Sequence, residues 1–227
     1  MSEGTNLRVD WCSYEAAKYA VEHWHYSGSV PAGKNVYMGV WENYKYIGAV
    51  IFGTGVAPYS GQQFGLRQQE ICELVRVALS KHVASVTKIL SIAIKMLKRQ
   101  SPKLRLLVSF ADPEQSHTGG IYQAGNWLYV GTIKAEWFED KWHNRINTKT
   151  LRTGRRGLAT KLKIAGTITS VYLTKYKYLY ALDTAMRKQI ELLSKPYPKR
   201  ETCGTGETDN AAGSNQQTGG ASPTVPL

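Results

Sequence analysis

The chain has 227 residues, 42% of them hydrophobic, enough to bury one sizeable core and to predict a single domain. Its formal net charge is +12, and the segment beyond Arg200 holds three acids and no base, so the rest is more basic still and suits a polyanionic partner. Several classes are excluded: no apolar run approaches the roughly 18 residues of a membrane span, the N-terminus lacks a signal-peptide layout, and Cys12, Cys72 and Cys203, without C-x-x-C spacing, make neither a disulfide framework nor a zinc ribbon.

In chain order, Ser13 is placed to cap a helix over Tyr14–Trp24, with Tyr14, Ala17, Val21 and Trp24 on one face. A loop, His25 to Asn35, leads to two strands, Val36–Trp41 and Ile47–Gly53, that form a hairpin through Glu42-Asn43-Tyr44-Lys45. Glu73–Leu79 is a further strand. Its alternation puts Leu74 and Arg76 on one face and Glu73 and Val75 on the other, which favours Arg76 as a substrate clamp over an ion pair with Glu73. Val86–Leu97 is an amphipathic helix ending in Lys98-Arg99, with Pro102 just beyond. The strand Leu104–Phe110, a short helix holding Tyr122, a strand over Leu128–Ile133 and a last strand over Tyr176–Leu182 complete the order. From Gly204 onward Gly, Ser, Thr, Asn and Gln dominate, so 204–227 is expected to be a disordered tail after a domain over 1–203.

Two regions carry chemistry. Ser109-Phe110-Ala111-Asp112-Pro113 reads as a buried strand that delivers a carboxylate to its tip, because Pro113 cannot continue a ladder and an unpaired acid is costly inside. His117 and then Gly119-Gly120-Ile121-Tyr122-Gln123-Ala124-Gly125-Asn126-Trp127 place a phenol and an indole beside it. Plainer readings stand next to these: Asp112 as a turn residue, His25 as a helix cap, Tyr122 as helix core, His117 as a loop cap. The second region, 141–177, has ten Lys or Arg and no acid. Lys149, Arg152, Arg155, Arg156, Lys161 and Lys163 are read as phosphate contacts, and Gly154 and Gly157 let a loop approach a nucleic-acid backbone; the alternative is a solubilising face.

The element order resembles the GNAT acyltransferase fold, an α/β (α+β) class with a central mixed sheet flanked by helices. Trp24-His25-Tyr26-Ser27, Glu73-Leu74-Val75-Arg76-Val77, Ser109-Phe110-Ala111-Asp112, His117-Thr118-Gly119, Ile121-Tyr122-Gln123-Ala124, Asn126-Trp127, Lys175-Tyr176-Lys177-Tyr178 and Pro196-Tyr197-Pro198-Lys199-Arg200 together resemble the Mom DNA-modification family, over roughly residues 20–200. The resemblance implies carbamoylmethylation of adenine N6 in double-stranded phage DNA, in the host cell cytoplasm, as protection from restriction. It implies functional roles for His25, Tyr26, Arg76, Asp112 and Tyr122: His25, Tyr26, Asp112 and Tyr122 are read as catalytic and Arg76 as a substrate contact. Ser109 and Trp127, beside Asp112 and Tyr122 in sequence, are read as further substrate contacts, and Tyr26, Tyr122 and Trp127 are candidates to stack on a flipped base.

One departure bears on the donor. GNAT enzymes hold the CoA pyrophosphate on a glycine-rich loop at a helix N-terminus, and here that loop, Ser80-Lys81-His82-Val83-Ala84-Ser85-Val86, has no glycine. With acetyl-CoA an oxidative step is also needed, for which iron held by His25, Tyr26, Asp112 and His117 is one source; glycyl-tRNA requires no redox chemistry. Two other functions compete. Ala111-Asp112-Pro113-Glu114 and Phe52-Gly53-Thr54-Gly55 resemble in part the motifs of S-adenosylmethionine-dependent adenine methyltransferases, and the basic run alone suffices for a non-catalytic DNA-binding protein.

Overall fold

A computed structural model describes residues 6–54, 60–143, 145–147, 162 and 166–199. In chain order the elements are β1 (Leu7–Trp11), α1 (Tyr14–Trp24), β2 (Asn35–Glu42), β3 (Lys45–Gly53), β4 (Ile71–Leu79), α2 (Val86–Gln100), β5 (Leu106–Ala111), α3 (Gly120–Ala124), β6 (Leu128–Asp140), β7 (Arg145–Asn147), β8 (Ile168–Ala181) and α4 (Thr184–Glu191). The strands make one sheet in the order β1-β2-β3-β4-β5-β8-β6-β7. Among the described strands only β4 and β5 run parallel to each other. The expected α/β class, a mixed sheet flanked by helices, is what the chain adopts, and a doubly wound parallel sheet of the methyltransferase kind is not.

Local chemistry sets most boundaries. Ser13 Oγ accepts from the Ala16 amide at 3.2 Å and starts α1, and Ser85 caps α2 in the same way. Asn43 and Tyr44, both at positive φ, make the two-residue turn that pairs Glu42 with Lys45. Helices α2 and α3 cover one sheet face: Ile89, Leu90, Ala93, Ile94 and Leu97 pack on Val50, Phe52, Leu74 and Leu107. On the other face α1 sets Ala17, Ala20 and Val21 against Ala49, Ile51 and Ala78, and α4 sets Met186 and Ile190 against Ile71, Leu106, Val108 and Leu179.

Two irregularities in the centre of the sheet create the site. In β4, Arg76 pairs with Ile51 while Leu74 pairs with Phe52, so Val75 is an extra residue, a β-bulge. Simple alternation therefore fails: Leu74 lies with Phe52 under α2, and Arg76 turns to the face of Ile51. That is also the face of Glu73, whose charge acts on Arg76, so the argument from parity against that interaction does not hold. The second irregularity is a parting of strands. β4 and β5 pair only from Ile71–Glu73 to Leu106–Val108 and then separate into a wedge, which Ser109 Oγ bridges by donating to the Leu74 carbonyl at 2.8 Å.

The C-terminal part is fastened twice. Lys195 N donates to the Tyr129 carbonyl at 2.8 Å and Tyr197 Oη to the Trp127 carbonyl at 2.7 Å, so this segment lies along β6. Asp183 caps α4 through the Met186 amide and takes two bonds from Arg105, which hold its carboxyl down to about 2 from an ordinary 3.8. A depressed carboxyl stabilises the fold above its unfolded pKa and loses that contribution as pH falls through its folded one. Asp183→Asn is expected to lower Tm at neutral pH and to flatten the decline of Tm between pH 4 and 2; thermal melts across that range, unchanged in slope from the parent, count against the assignment.

Candidate functional site

Asp112 stands one residue beyond β5, where Pro113 ends the ladder, and its Oδ1 accepts from the Glu114 amide at 3.2 Å. Its Oδ2 forms an ion pair with Lys175 Nζ, both side chains being only 11% exposed. The pairing follows from register: β5 and β8 are antiparallel with Ala111 opposite Tyr176, so the next step along brings Lys175 to Asp112. Lys175 Nζ also lies 5.8 Å from the centre of the Trp137 ring. A pair of lysines, Lys175 and Lys177, within the aromatic alternation of β8 was the available signal for this partner, and counting them with the basic run hid it. Lys175 is thus turned inward, and burial lowers the pKa of Lys177, so the end of the 141–177 run is sheet rather than open basic surface. Lys149, Arg152, Arg155, Arg156, Lys161 and Lys163 lie outside the described residues, as does the 204–227 tail.

From α1 the chain brings His25 and Tyr26. His25 is the C-cap of α1, so the plain reading holds, yet its ring also stacks on Tyr26 at 4.5 Å. The Ser27 amide donates to His25 Nδ1 at 3.1 Å, which leaves the ring proton on Nε2. Burial first, then the charges of Arg76 and His117, push the His25 pKa down to about 3, so the imidazole is neutral at physiological pH. Tyr26 is 56% exposed and meets His117 edge-on at 5.6 Å. Its phenol pKa is raised by desolvation and the Asp112 carboxylate, against a lowering by Arg76.

Arg76 reaches this group from the bulge. One guanidinium nitrogen donates to the Val75 carbonyl at 2.8 Å, while Nε is buried with no hydrogen-bond partner among the described residues. Burial lowers its pKa, and Tyr26, Glu73 and Tyr122 act in the opposite sense. A buried, unpaired donor is costly, and this one belongs to a side chain that interacts electrostatically with His25 and Tyr26.

Ser109, Tyr122 and Trp127 lie deeper. Ser109 Oγ gives its proton to Leu74, so the Tyr122 hydroxyl, 2.7 Å away, donates to Ser109; burial pushes this phenol up to about 12. Tyr122 packs on Tyr178 at 4.9 Å and on Trp127 at 5.3 Å. Trp127 is 1% exposed, so neither it nor fully buried Ser109 is open to a substrate, and of the three aromatic residues expected to stack on a base Tyr26 alone is exposed. Gly119, at φ +84, leads into α3 directly against the Tyr178 ring.

Two of the four side chains considered for iron, Asp112 and His25, are already engaged by protein groups. Asp112 is engaged by Lys175 and the Glu114 amide, and His25 Nδ1 accepts from Ser27. Among the described residues no three His, Cys, Asp or Glu side chains form a group that suits a cation. Nor is any helix among them long and apolar enough to cross a membrane.

Among solved structures the chain is similar to a GNAT-family acetyltransferase from Streptococcus pneumoniae (11% identity, 78% of this chain and 100% of that one, TM-score 0.43) and to the ribosomal-protein-S5-alanine acetyltransferase of Vibrio fischeri (9%, 80% and 96%, TM-score 0.45). In sequence the chain is 25% identical over 203 residues to a protein of Escherichia phage Mu named methylcarbamoylase mom, spanning 85% of this chain and 84% of that relative. The profile of the Mom protein family matches residues 6–199, and with Asp112, Arg76, His25 and Tyr26 all inside that span, the chain belongs to the Mom protein family.

Proposed function

We propose that this protein is a DNA-modifying transferase that converts adenine to N6-carbamoylmethyladenine in double-stranded phage DNA, in the host cytoplasm, and so protects it from restriction. The observation that carries the reading is the cluster at the mouth of the β4/β5 wedge: a paired carboxylate, a guanidinium with an unused donor, a neutral imidazole and an exposed phenol ring, in a chain whose phage Mu relative is named a methylcarbamoylase.

Adenine N6 is a poor nucleophile, because its lone pair is delocalised into the ring, and needs a proton acceptor beside a fixed electrophile. Asp112 accepts the N6 proton, held in place by Lys175. Arg76 Nε–H and His25 Nε2–H are donors for the carbonyl oxygen as negative charge grows on it. Tyr26 is the platform for a flipped base. Tyr122 and Ser109 act as positioning residues that fix the wedge.

The donor we propose is glycyl-tRNA. N6 displaces the tRNA hydroxyl from the glycyl carbonyl, the glycyl amine adds to C6 in a five-membered ring, and breaking the C6–N6 bond leaves the former amine on C6 and the former N6 as the terminal amide. Every atom is accounted for and no oxidant is needed. Purified protein, DNA and charged glycyl-tRNA, without iron or CoA, should yield carbamoylmethyladenine by mass spectrometry of digested nucleosides. Unmodified adenine there, together with product from acetyl-CoA and iron, would reverse the choice of donor.

The middle of the basic segment 141–177, Lys149 to Lys163, is proposed to track the DNA backbone. Arg155→Ala/Arg156→Ala is expected to weaken binding to all sequences alike and to reduce the slope of log K against log salt by about 2, since each phosphate contact contributes about 0.9. A slope equal to that of the parent chain excludes these two residues from the interface.

A further inference from the structure

The loop between β4 and α2 has the position in which a strand-to-helix junction commonly holds phosphate: its amides precede a 15-residue helix whose dipole favours an anion. In this protein the anion is already there and belongs to the chain. Glu42, the last residue of β2, reaches across from the neighbouring hairpin. Its Oε2 accepts from Val83 N at 2.9 Å and its Oε1 from Ala84 N at 2.8 Å.

The carboxylate is nearly closed off, at 8% residue exposure, although the loop is superficial and Val83 stands out into solvent. Its seat is braced on the other side. Ser80 N and Oγ both donate to the Ile47 carbonyl at 2.8 and 3.1 Å, and Ser85 Oγ takes the Lys88 amide. A buried carboxylate is costly unless fully bonded, and these two amides are the bonds the structure gives it.

We propose that Glu42 is a specificity-determining residue: it is a resident substitute for a phosphate, and it closes the β4–α2 loop to diphosphate-bearing carriers, CoA included. A carrier's diphosphate arriving here would have to expel a carboxylate of like charge that is tethered to the sheet and bonded twice. The exclusion holds whatever group the protein transfers, so its failure and the failure of the glycyl-tRNA reading are separate results.

The test is an amide NMR titration of the full chain with inorganic pyrophosphate and, separately, with CoA. In the parent protein the Val83 and Ala84 signals are expected to stay in place through the titration. In Glu42→Ala both should move, with pyrophosphate bound at that loop at least roughly tenfold more tightly than by the parent, and pyrophosphate should raise the Tm of the variant more than that of the parent. Movement of those two signals in the parent with either ligand overturns the proposal, and so does a folded Glu42→Ala that gains no binding there. Should Glu42→Ala fail to fold, Glu42→Gln, which keeps one acceptor, replaces it, and the parent titration decides the exclusion by itself.

Discussion

Asp112→Asn is expected to lower adenine modification by about 10²–10⁴-fold, the usual contribution of a positioned proton acceptor. The same change strands Lys175, whose side chain is 11% exposed, beside a neutral amide. Removing one member of a buried ion pair costs about 3–5 kcal/mol, because the remaining charge is left without compensation, whereas replacing both members by apolar groups is often close to neutral. This separates structure from chemistry. Asp112→Ala/Lys175→Met should recover much of the Tm lost by Asp112→Asn and still leave adenine unmodified when plasmid nucleosides are digested and weighed. If the double variant regains modification along with its Tm, Asp112 is a structural acid only.

Gly119→Ala is expected to be nearly as damaging, through packing. Its φ of +84 is strained for any residue with a Cβ, and that Cβ would stand 2.4–2.5 Å from two ring carbons and the hydroxyl oxygen of Tyr178. The ring has no room to yield. Tyr178 is fully buried, lies 4.9 Å from Tyr122 and 5.5 Å from Tyr129, and donates its hydroxyl proton to the Thr118 carbonyl. Backbone strain of about 1–3 kcal/mol and overpacking of similar size together predict a fall in Tm on the order of 10 °C. Gly120→Ala is the matched control. Its Cβ meets nothing within 4 Å and its φ is not positive, so its Tm should equal or slightly exceed that of the parent. Equal melting of the two variants would mean that the Tyr178 contact is not what fixes this glycine.

The sequence made most of the frame legible, because caps, hairpin turn and apolar stripes are local signals. Ser13, Ser85, the Asn43-Tyr44 turn and the Asp112-Pro113 strand end all act where local chemistry puts them. What escaped depends on partners distant in the chain. β1 is a short edge strand with one buried residue, Val9, and α4 buries only Met186 and Ile190, so neither shows a full stripe. β6 was expected to stop at Ile133 but runs to Asp140, because charges at Lys134, Glu136, Glu139 and Asp140 mask the period of a ribbon paired with β8. At the site, Asp112 and Arg76 were marked by their places at the tip and in the middle of apolar strands, and His25 and Tyr26 by the family resemblance. The bulge at Val75 and the ion pair to Lys175 arise from strand register, which no window of the chain contains.

The segment that fastens Lys195 and Tyr197 to β6 has a consequence for how these molecules coexist at high concentration. A strand at the rim of a sheet offers a row of free amides and carbonyls on which a second molecule can build. Here β7 shields the distal stretch of β6, at Trp137–Glu139, and the Lys195–Tyr197 segment engages the proximal carbonyls of Trp127 and Tyr129. At the opposite rim β1 is only five residues long and carries Arg8 and Asp10. These covered and charged stretches of the described edges disfavour edge-to-edge growth, and the prolines at 196 and 198 deny the covering segment the amides it would need to become a template itself.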